Sequence, residues 1–454
     1  MLIRESDYTE VSSSEKQALA FLDSLDISTM KLGLERVRAV LDTLGNPQDA
    51  VPIVHIAGTN GKGSVTAMLS NVLKVAGYRT GRFISPHLIT VRERIAINSD
   101  SISSEHFAKA VFELKAHLEE LSWPREDWLT YFEFITILAY QYFVSQNVDI
   151  AVFETGLGGR LDSTNVVQVP VLTVITSIGM DHMKQLGNTL GAIAFEKAGI
   201  LKGNVPIVLG GNLPPEAQSV IVKQANVMSA PMFQAHPEDL IVEESLSSAA
   251  TGLVIREVST GDSFRLSLTP PYQKDNAAIV LTCVKQLREQ GFTIAPADLG
   301  EGLATTNWPA RFQLFANERI LIDGSHNADG FSALAEALRF YYTETPFIWV
   351  LSLRNNRPFE ALLDLLDVFP QPFAIIVTSS EPQHLYHEPE VLAKSLLEYY
   401  EGFGLSEIPS IQAVQNPIDA LEALRSVLKS DSNALGIVTG SLYTAGSVLE
   451  VLEN

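Results

Sequence analysis

The chain has 454 residues, 46% of them hydrophobic, which is too much for one ordinary core and leads to an expected division into two or three domains, with two the working number. Thirty-two Lys and Arg stand against 53 Asp and Glu, a formal charge of −21 that sets the surface against nucleic acid and anionic membranes. Any polyanionic ligand must then be held locally, by backbone N–H groups, a few Lys or Arg, and metal ions.

Residues 1–5 lack the basic and apolar segments of an export signal, so the expected compartment is the cytoplasm. From residue 51 short β-branched runs alternate with amphipathic segments of helical length, the pattern of βα units around a mainly parallel sheet. Strands are predicted at 51–57, 81–84, 148–153, 171–175 and 206–209, apolar without strict alternation, as befits strands covered on both faces. Helices are predicted at 62–76, 105–121, 130–146, 189–200 and 215–228. The helix at 130–144 is the longest apolar candidate, but it carries Glu133 and Gln141 and is too short to span a bilayer.

Residues 239–267 alternate apolar and polar side chains between Ser, Thr and Gly, predicting antiparallel hairpins at the edge of the first domain. Helices near 276–290 and 297–303 close it. Cys283 is the only cysteine, which excludes an intrachain disulfide; in the apolar run 279–284 it reads as a core thiol. Helical periodicity breaks at 305–311. A second series of strands follows at 319–322, 347–353, 373–377, 408–413 and 435–438. The expected fold is α/β: a P-loop ATPase-type domain with a mainly parallel sheet at 1–310, then a smaller Rossmann-like α/β domain at 311–454.

Gly58-Thr59-Asn60-Gly61-Lys62-Gly63-Ser64 lies between the first predicted strand and a helix, where free N–H groups and the positive dipole end meet an anion. Asn60, Gly61, Lys62, Gly63 and Ser64 are the ATP-phosphate candidates, with Lys62 on the β/γ oxygens and the Ser64 hydroxyl on phosphate or Mg²⁺. The strict pattern G-x-x-x-x-G-K-[ST] is not met, because Ile56 replaces its first glycine and Gly63 separates Lys62 from Ser64. Glu154 ends a predicted strand, at the carboxyl edge where open α/β sheets bind ligands. Taken alone, Lys197 reads as a solvated helix lysine, His182 as a structural hydrogen-bonder, and Ser85-Pro86 as a turn.

Together these segments resemble the folylpolyglutamate synthase and dihydrofolate synthase branch of the Mur ligase superfamily: the loop, Phe83-Ile84-Ser85-Pro86-His87-Leu88, Glu154-Thr155-Gly156-Leu157-Gly158-Gly159-Arg160-Leu161-Asp162, Asp181-His182, and Asp323-Gly324-Ser325-His326-Asn327. The resemblance implies ATP and two Mg²⁺ ions held through Ser85, Glu154 and His182, with a monovalent cation as a further candidate. It implies a carbamylated Lys197, catalytic roles for Lys62, Glu154, His182 and Lys197, and ATP contacts from Asn276, Arg311, Asp323 and His326. An Arg on an interdomain linker would reach a triphosphate on domain closure, coupling closure to catalysis. Gly33 and Arg36 (in Leu32-Gly33-Leu34-Glu35-Arg36-Val37), Thr130, Tyr131, Phe132 and Glu133, and Leu161, Asp162 and Ser163 resemble the walls of a pterin–benzoate pocket. The acid at Glu133 resembles bifunctional members.

The implied activity is an ATP-dependent amide ligase that activates dihydropteroate or a reduced folate as an acyl phosphate and joins it to L-glutamate. The expected form is a monomer with small-molecule substrates only. Two rivals remain at this point: a Mur-type peptidoglycan precursor ligase, disfavoured because only 57 residues precede the loop, and a non-catalytic nucleotide-binding module, which needs no second metal site.

Overall fold

The computed structural model describes residues 12–25, 33–121, 123, 128–355, 357, 372–402 and 408–453; residues 1–5 and Leu32, used above, lie outside these. The apolar run ending at the phosphate loop forms strand β1 (Ile53–Ala57), buried at all positions because both neighbours are strands and both faces carry helices. Around it lie β2 (Thr80–Phe83), β3 (Ile95–Ile97), β4 (Asp100–Ser101), β5 (Ile150–Glu154), β6 (Leu172–Ile175), β7 (Ile207–Leu209) and β8 (Met232–Gln234), in the order β4-β3-β2-β5-β1-β6-β7-β8. Pairing is parallel from β2 through β8, while β2·β3 and β3·β4 are antiparallel. The first domain is therefore mixed α/β with a mainly parallel sheet, as expected, plus a short antiparallel edge that the sequence reading missed.

Among the described residues, two apolar cores pack against this sheet. Helices Ser13–Asp23, Glu35–Thr43, Ser104–Glu120 and Tyr131–Ser145 contribute to one, together with Phe83, Ala151 and Phe153. Helices Leu190–Ala198 and Pro215–Val227 contribute to the other, against Ile175, Ile207 and Leu209. Phe153 stacks on Tyr140 at 4.5 Å and on Phe83 at 5.2 Å between ring centroids, and meets Phe143 edge-on at 5.7 Å. At about 0.5–1.5 kcal/mol per pair beyond simple burial, these contacts fix the end of β5 and hence its last residue, Glu154.

Strands β9 (Leu240–Val242), β10 (Leu253–Glu257) and β11 (Ser263–Leu266) form a separate sheet in the order β11-β10-β9. The last sheet combines β12 (Gln313–Phe315), β13 (Ile320–Ile322), β14 (Phe347–Leu351), β15 (Pro372–Val377), β16 (Ser410–Ala413) and β17 (Leu435–Thr439) in the order β12-β13-β17-β14-β15-β16. It is parallel except for the β12·β13 pair. By Cα proximity the chain forms two compact units. One comprises Met1–Ile241, Ile255–Leu266 and Gln273–Thr306, the other Val242–Val254, Ser267–Tyr272 and Asn307–Asn454. Among the described residues no helix is long and apolar enough to cross a membrane.

Candidate active site

The chain leaves β1 at Ala57 and re-enters regular structure at helix Lys62–Val75, whose N-cap is Gly61 at φ +85°. The loop carbonyls are held by the protein. Gly58 O accepts from Lys197 Nζ at 2.7 Å, Thr59 O from Lys62 Nζ at 3.2 Å, and Asn60 O from Thr176 Oγ1 at 2.7 Å and Ser177 Oγ at 3.0 Å. Thr59 N and Asn60 N donate to Ser177 O and Oγ at 2.8 and 2.9 Å. The N–H groups of Lys62, Gly63 and Ser64 begin a helix and so have no intrahelical acceptor, which makes this turn an anion cradle.

Three residues that support the loop escaped the sequence reading. Thr176 and Ser177 place two hydroxyls directly after an apolar strand, a signal that was available. Gln273, wholly buried, donates from Nε2 to Ser64 Oγ at 3.3 Å and accepts from Asn276 Nδ2 at 2.8 Å, so Asn276 does join the loop region. Gln273 opens a helix 209 residues beyond Ser64, and no local pattern marks such a pair.

Glu154 is buried, and its Oε1 lies 3.9 Å from Lys62 Nζ. Ser85 precedes a cis bond to Pro86, and its Oγ is buried with no hydrogen-bond partner among the described residues. A carboxylate and an orphaned hydroxyl at the carboxyl edge of the sheet are hard oxygen donors of the kind Mg²⁺ takes, so both fit the predicted ion. His182 is exposed, sits at φ +51° as N-cap of Met183–Leu186, and has its amide bonded to Asp181 Oδ1 at 2.8 Å. Among the described residues no three His, Cys, Asp or Glu side chains converge on a common point. Arg82 on β2 was also missed: burial lowers its pKa, while the charges of Glu93 and Glu154 oppose that.

Lys197 is not the solvated helix lysine that its sequence context suggests when taken alone. It is buried, and desolvation, with the charge of Lys62 second, lowers its pKa to about 7 against the partial opposition of Asp181 and Asp162. A buried amine in that range is largely neutral near pH 8, the form that reacts with carbon dioxide.

Of the predicted acyl-pocket residues, Arg36, Thr130 and Glu133 engage one another. Arg36 pairs with Glu133 at 2.8 Å, and the second Glu133 oxygen accepts from Thr130 N at 2.7 Å in the capping box of helix Tyr131–Ser145. Tyr131 is buried, whereas Phe132 is half-buried and covers Gly156, where a Cβ would come within 2.4 Å of its Cζ. Asp162 accepts from Leu157 N at 2.7 Å and Thr164 N at 3.0 Å, and Ser163 Oγ lies 2.9 Å from Thr136 Oγ1. Burial raises the Asp162 carboxyl pKa while these hydrogen bonds hold it down. Asp162 thus acts within the loop, Ser163 ties the loop to helix Tyr131–Ser145, and Leu161 remains half-buried beside them. Gly33 has φ +136°, and a Cβ there would meet the Glu35 carboxylate.

In the second unit Asp323 follows β13. Its two oxygens accept from Phe312 N and Ser325 N, each at 2.9 Å, and burial raises its pKa. Arg311 Nη1 donates to Ala310 O at 2.9 Å and its charge pulls the Asp323 pKa back down. His326 Nδ1 lies 2.9 Å from Gly324 O, and Asn327 caps helix Ala328–Tyr341.

Residues 56–209 match the Mur ligase middle domain. A dihydrofolate synthase/folylpolyglutamate synthase of Bacillus subtilis (strain 168) is 36% identical over 429 residues, covering 93% of this chain and 96% of that protein. The folylpolyglutamate synthase of Mycobacterium tuberculosis, solved with ADP and AMPPCP, superposes with a TM-score of 0.84 at 28% identity, over 97% of this chain and 98% of that one. A folylpolyglutamate synthase solved with AMPPCP and folate superposes with a TM-score of 0.80 at 29% identity, over 97% and 100% of the two chains.

Proposed function

The chain belongs to the dihydrofolate synthase/folylpolyglutamate synthase family of Mur-type ligases, and on that premise we propose that it joins L-glutamate to dihydropteroate and to reduced folates at the expense of ATP. The observation that carries the reading is the built cradle: loop carbonyls fastened by Lys197, Thr176 and Ser177, and the first-turn amides of Lys62–Val75 left for an anion. The substrate carboxylate attacks the γ-phosphorus of ATP, the bond to ADP breaks, and an acyl phosphate forms. The amine of L-glutamate then attacks the acyl carbon, inorganic phosphate leaves with the bonding pair, and the ammonium loses its proton to give the amide.

Lys62 neutralises the β/γ oxygens, and the amides of residues 62–64 fix them before reaction, so little reorganisation is needed at the transition state. We assign Ser85, Glu154 and His182 to two Mg²⁺ ions, which when bound would offset triphosphate charge. Lys197 is assigned as the carbamylation site. Asn276 in the first unit, and Arg311, Asp323 and His326 in the second, are assigned to ATP on motif resemblance. The acyl substrate is assigned to the surface around Phe132, the Arg36–Glu133 pair and the loop that follows Glu154. A cytoplasmic monomer completes the reading.

The test is isotopic. With ¹⁸O in the carboxylate of dihydropteroate or tetrahydrofolate, one ¹⁸O must appear in the inorganic phosphate released in the presence of ATP, Mg²⁺ and L-glutamate. Phosphate carrying only unlabelled oxygen would remove the acyl phosphate from the account.

A further inference from the structure

His55 occupies the middle of β1, paired with Phe153 on β5 and Thr173 on β6, and is wholly buried. Every other residue of that strand is apolar, and a Val or Leu would pack there without a desolvation cost. Burial, with the charge of Lys202 second, drives its pKa down to about 3. The ring is therefore neutral at any working pH, with one N–H and one lone pair.

The hydrogen bonds identify which nitrogen carries the proton. Thr164 has a single hydroxyl hydrogen and donates it to Asp162 Oδ1. His55 Nε2 lies 2.8 Å from that same hydroxyl oxygen, so the ring must be the donor and Nε2 must hold the hydrogen. Nδ1 is buried and has no hydrogen-bond partner among the described residues. Among the described residues the imidazole makes one hydrogen bond, the one to Thr164.

That bond leads to the loop that begins at Glu154. Asp162, held by Thr164 on one oxygen, binds the Leu157 amide on the other and so closes the loop between Leu157 and Thr164. The closed loop seats Gly156 on Phe132, and Gly159 where a Cβ would come 2.7 Å from Lys197 O; Arg160 N donates to Glu196 O at 2.7 Å. Tyr140 supports the same turn from below, its hydroxyl donating to Thr164 O at 2.8 Å.

We propose that His55 is a positioning residue for the acyl substrate: through Thr164 it orients the Asp162 carboxylate, and through Asp162 it fixes the backbone of the loop between Glu154 and Thr164. The substrate assignment of that loop rests on the function proposed above, while its positioning by His55 does not. A residue that only filled space would be replaced by an apolar one without consequence for the loop.

The experiment uses the full chain and two readouts. Amide hydrogen exchange at Leu157 and Thr164 without substrates reports the loop; KM for dihydropteroate or tetrahydrofolate, against KM for ATP, reports its use. His55→Leu is expected to speed exchange at both amides about ten-fold and raise the acyl-substrate KM about ten-fold, with the ATP KM within about two-fold. His55→Gln, whose amide nitrogen reaches the position of Nε2, is expected to return both to within about three-fold of the parent. His55→Met, which fills the space without an N–H donor, must reproduce the His55→Leu pattern and carries the test if His55→Leu does not fold. Unchanged exchange in His55→Leu, an equal rise in both KM values, or a His55→Gln variant as impaired as His55→Leu would overturn the proposal. A parent protein that forms no amide with either acyl substrate would overturn the functional reading, while the exchange data would still decide the role of His55.

Discussion

Substituting Gly61 by Ala isolates what the phosphate loop requires of its backbone. Gly61 sits at φ +85°, a region that costs an L-residue about 1–2 kcal/mol. A Cβ there would come 2.5 Å from Asn276 Oδ1. Restoring ordinary contact moves that carboxamide by about 1 Å, which strains its 2.8 Å bond to Gln273 Oε1 and, through Gln273, the 3.3 Å contact with Ser64. A hydrogen bond of this kind is worth about 1 kcal/mol net. The two effects together come to about 2–3 kcal/mol, or roughly 30- to 150-fold in nucleotide affinity. Calorimetric titration of Gly61→Ala with AMPPCP measures this directly. In an Asn276→Ala background the contact is gone, and the cost of the same substitution should shrink to the backbone part alone. An affinity for Gly61→Ala within about three-fold of the parent would refute the reasoning, since neither effect would then be present at the site.

Two further outcomes follow from buried groups. Lys197 has a pKa of about 7 when folded against 10.5 when unfolded. Below pH 7 both states are protonated and the folded one bears the full desolvation penalty. Between pH 7 and 10.5 the unfolded chain holds a proton that the folded one lacks, so stability rises with pH by up to about 1.4 kcal/mol per pH unit. Urea unfolding of the first unit at pH 7.5 and 8.5, in buffer freed of carbon dioxide, should show that rise in the parent and lose it in Lys197→Met; parallel curves for the two would count against a buried neutral lysine. Ser85→Ala removes a buried hydroxyl that satisfies no other group, so the melting temperature should stay within about 2 °C while the Mg²⁺ concentration for half-maximal activity rises about ten-fold. A large loss of stability with unchanged Mg²⁺ dependence would make Ser85 structural.

What the sequence made legible followed local chemistry. The βα alternation, the glycine-rich turn at Gly58–Ser64 and the carboxylate ending β5 are written in consecutive residues, and the parallel sheet formed around them as expected. The antiparallel edge of β3 and β4 was missed because its strands are three and two residues long. Helices Ser13–Asp23 and Glu35–Thr43, which pack into the first core, were not marked out either. Long-range polar pairs were invisible: Gln273 with Ser64, and His55 with Thr164, 109 residues apart. Lys197 shows the same limit from the other side, since it is buried and bonds the carbonyl of Gly58, 139 residues away, which its neighbours in sequence do not reveal. Glu133 resembles a pocket acid; in the structure it caps a helix in the Thr130-x-x-Glu133 pattern that the spacing offered, and it pairs with Arg36, 97 residues away, which no spacing rule reveals.

The most direct test of the account is a product balance: the parent protein with ATP, Mg²⁺ and either dihydropteroate or tetrahydrofolate, with and without L-glutamate. On this account the parent should give ADP, phosphate and a single new amide in equal amounts, only when L-glutamate is present, and Lys62→Ala should give none of them. ADP released at the same rate without L-glutamate, or no amide from either acyl substrate, would contradict it.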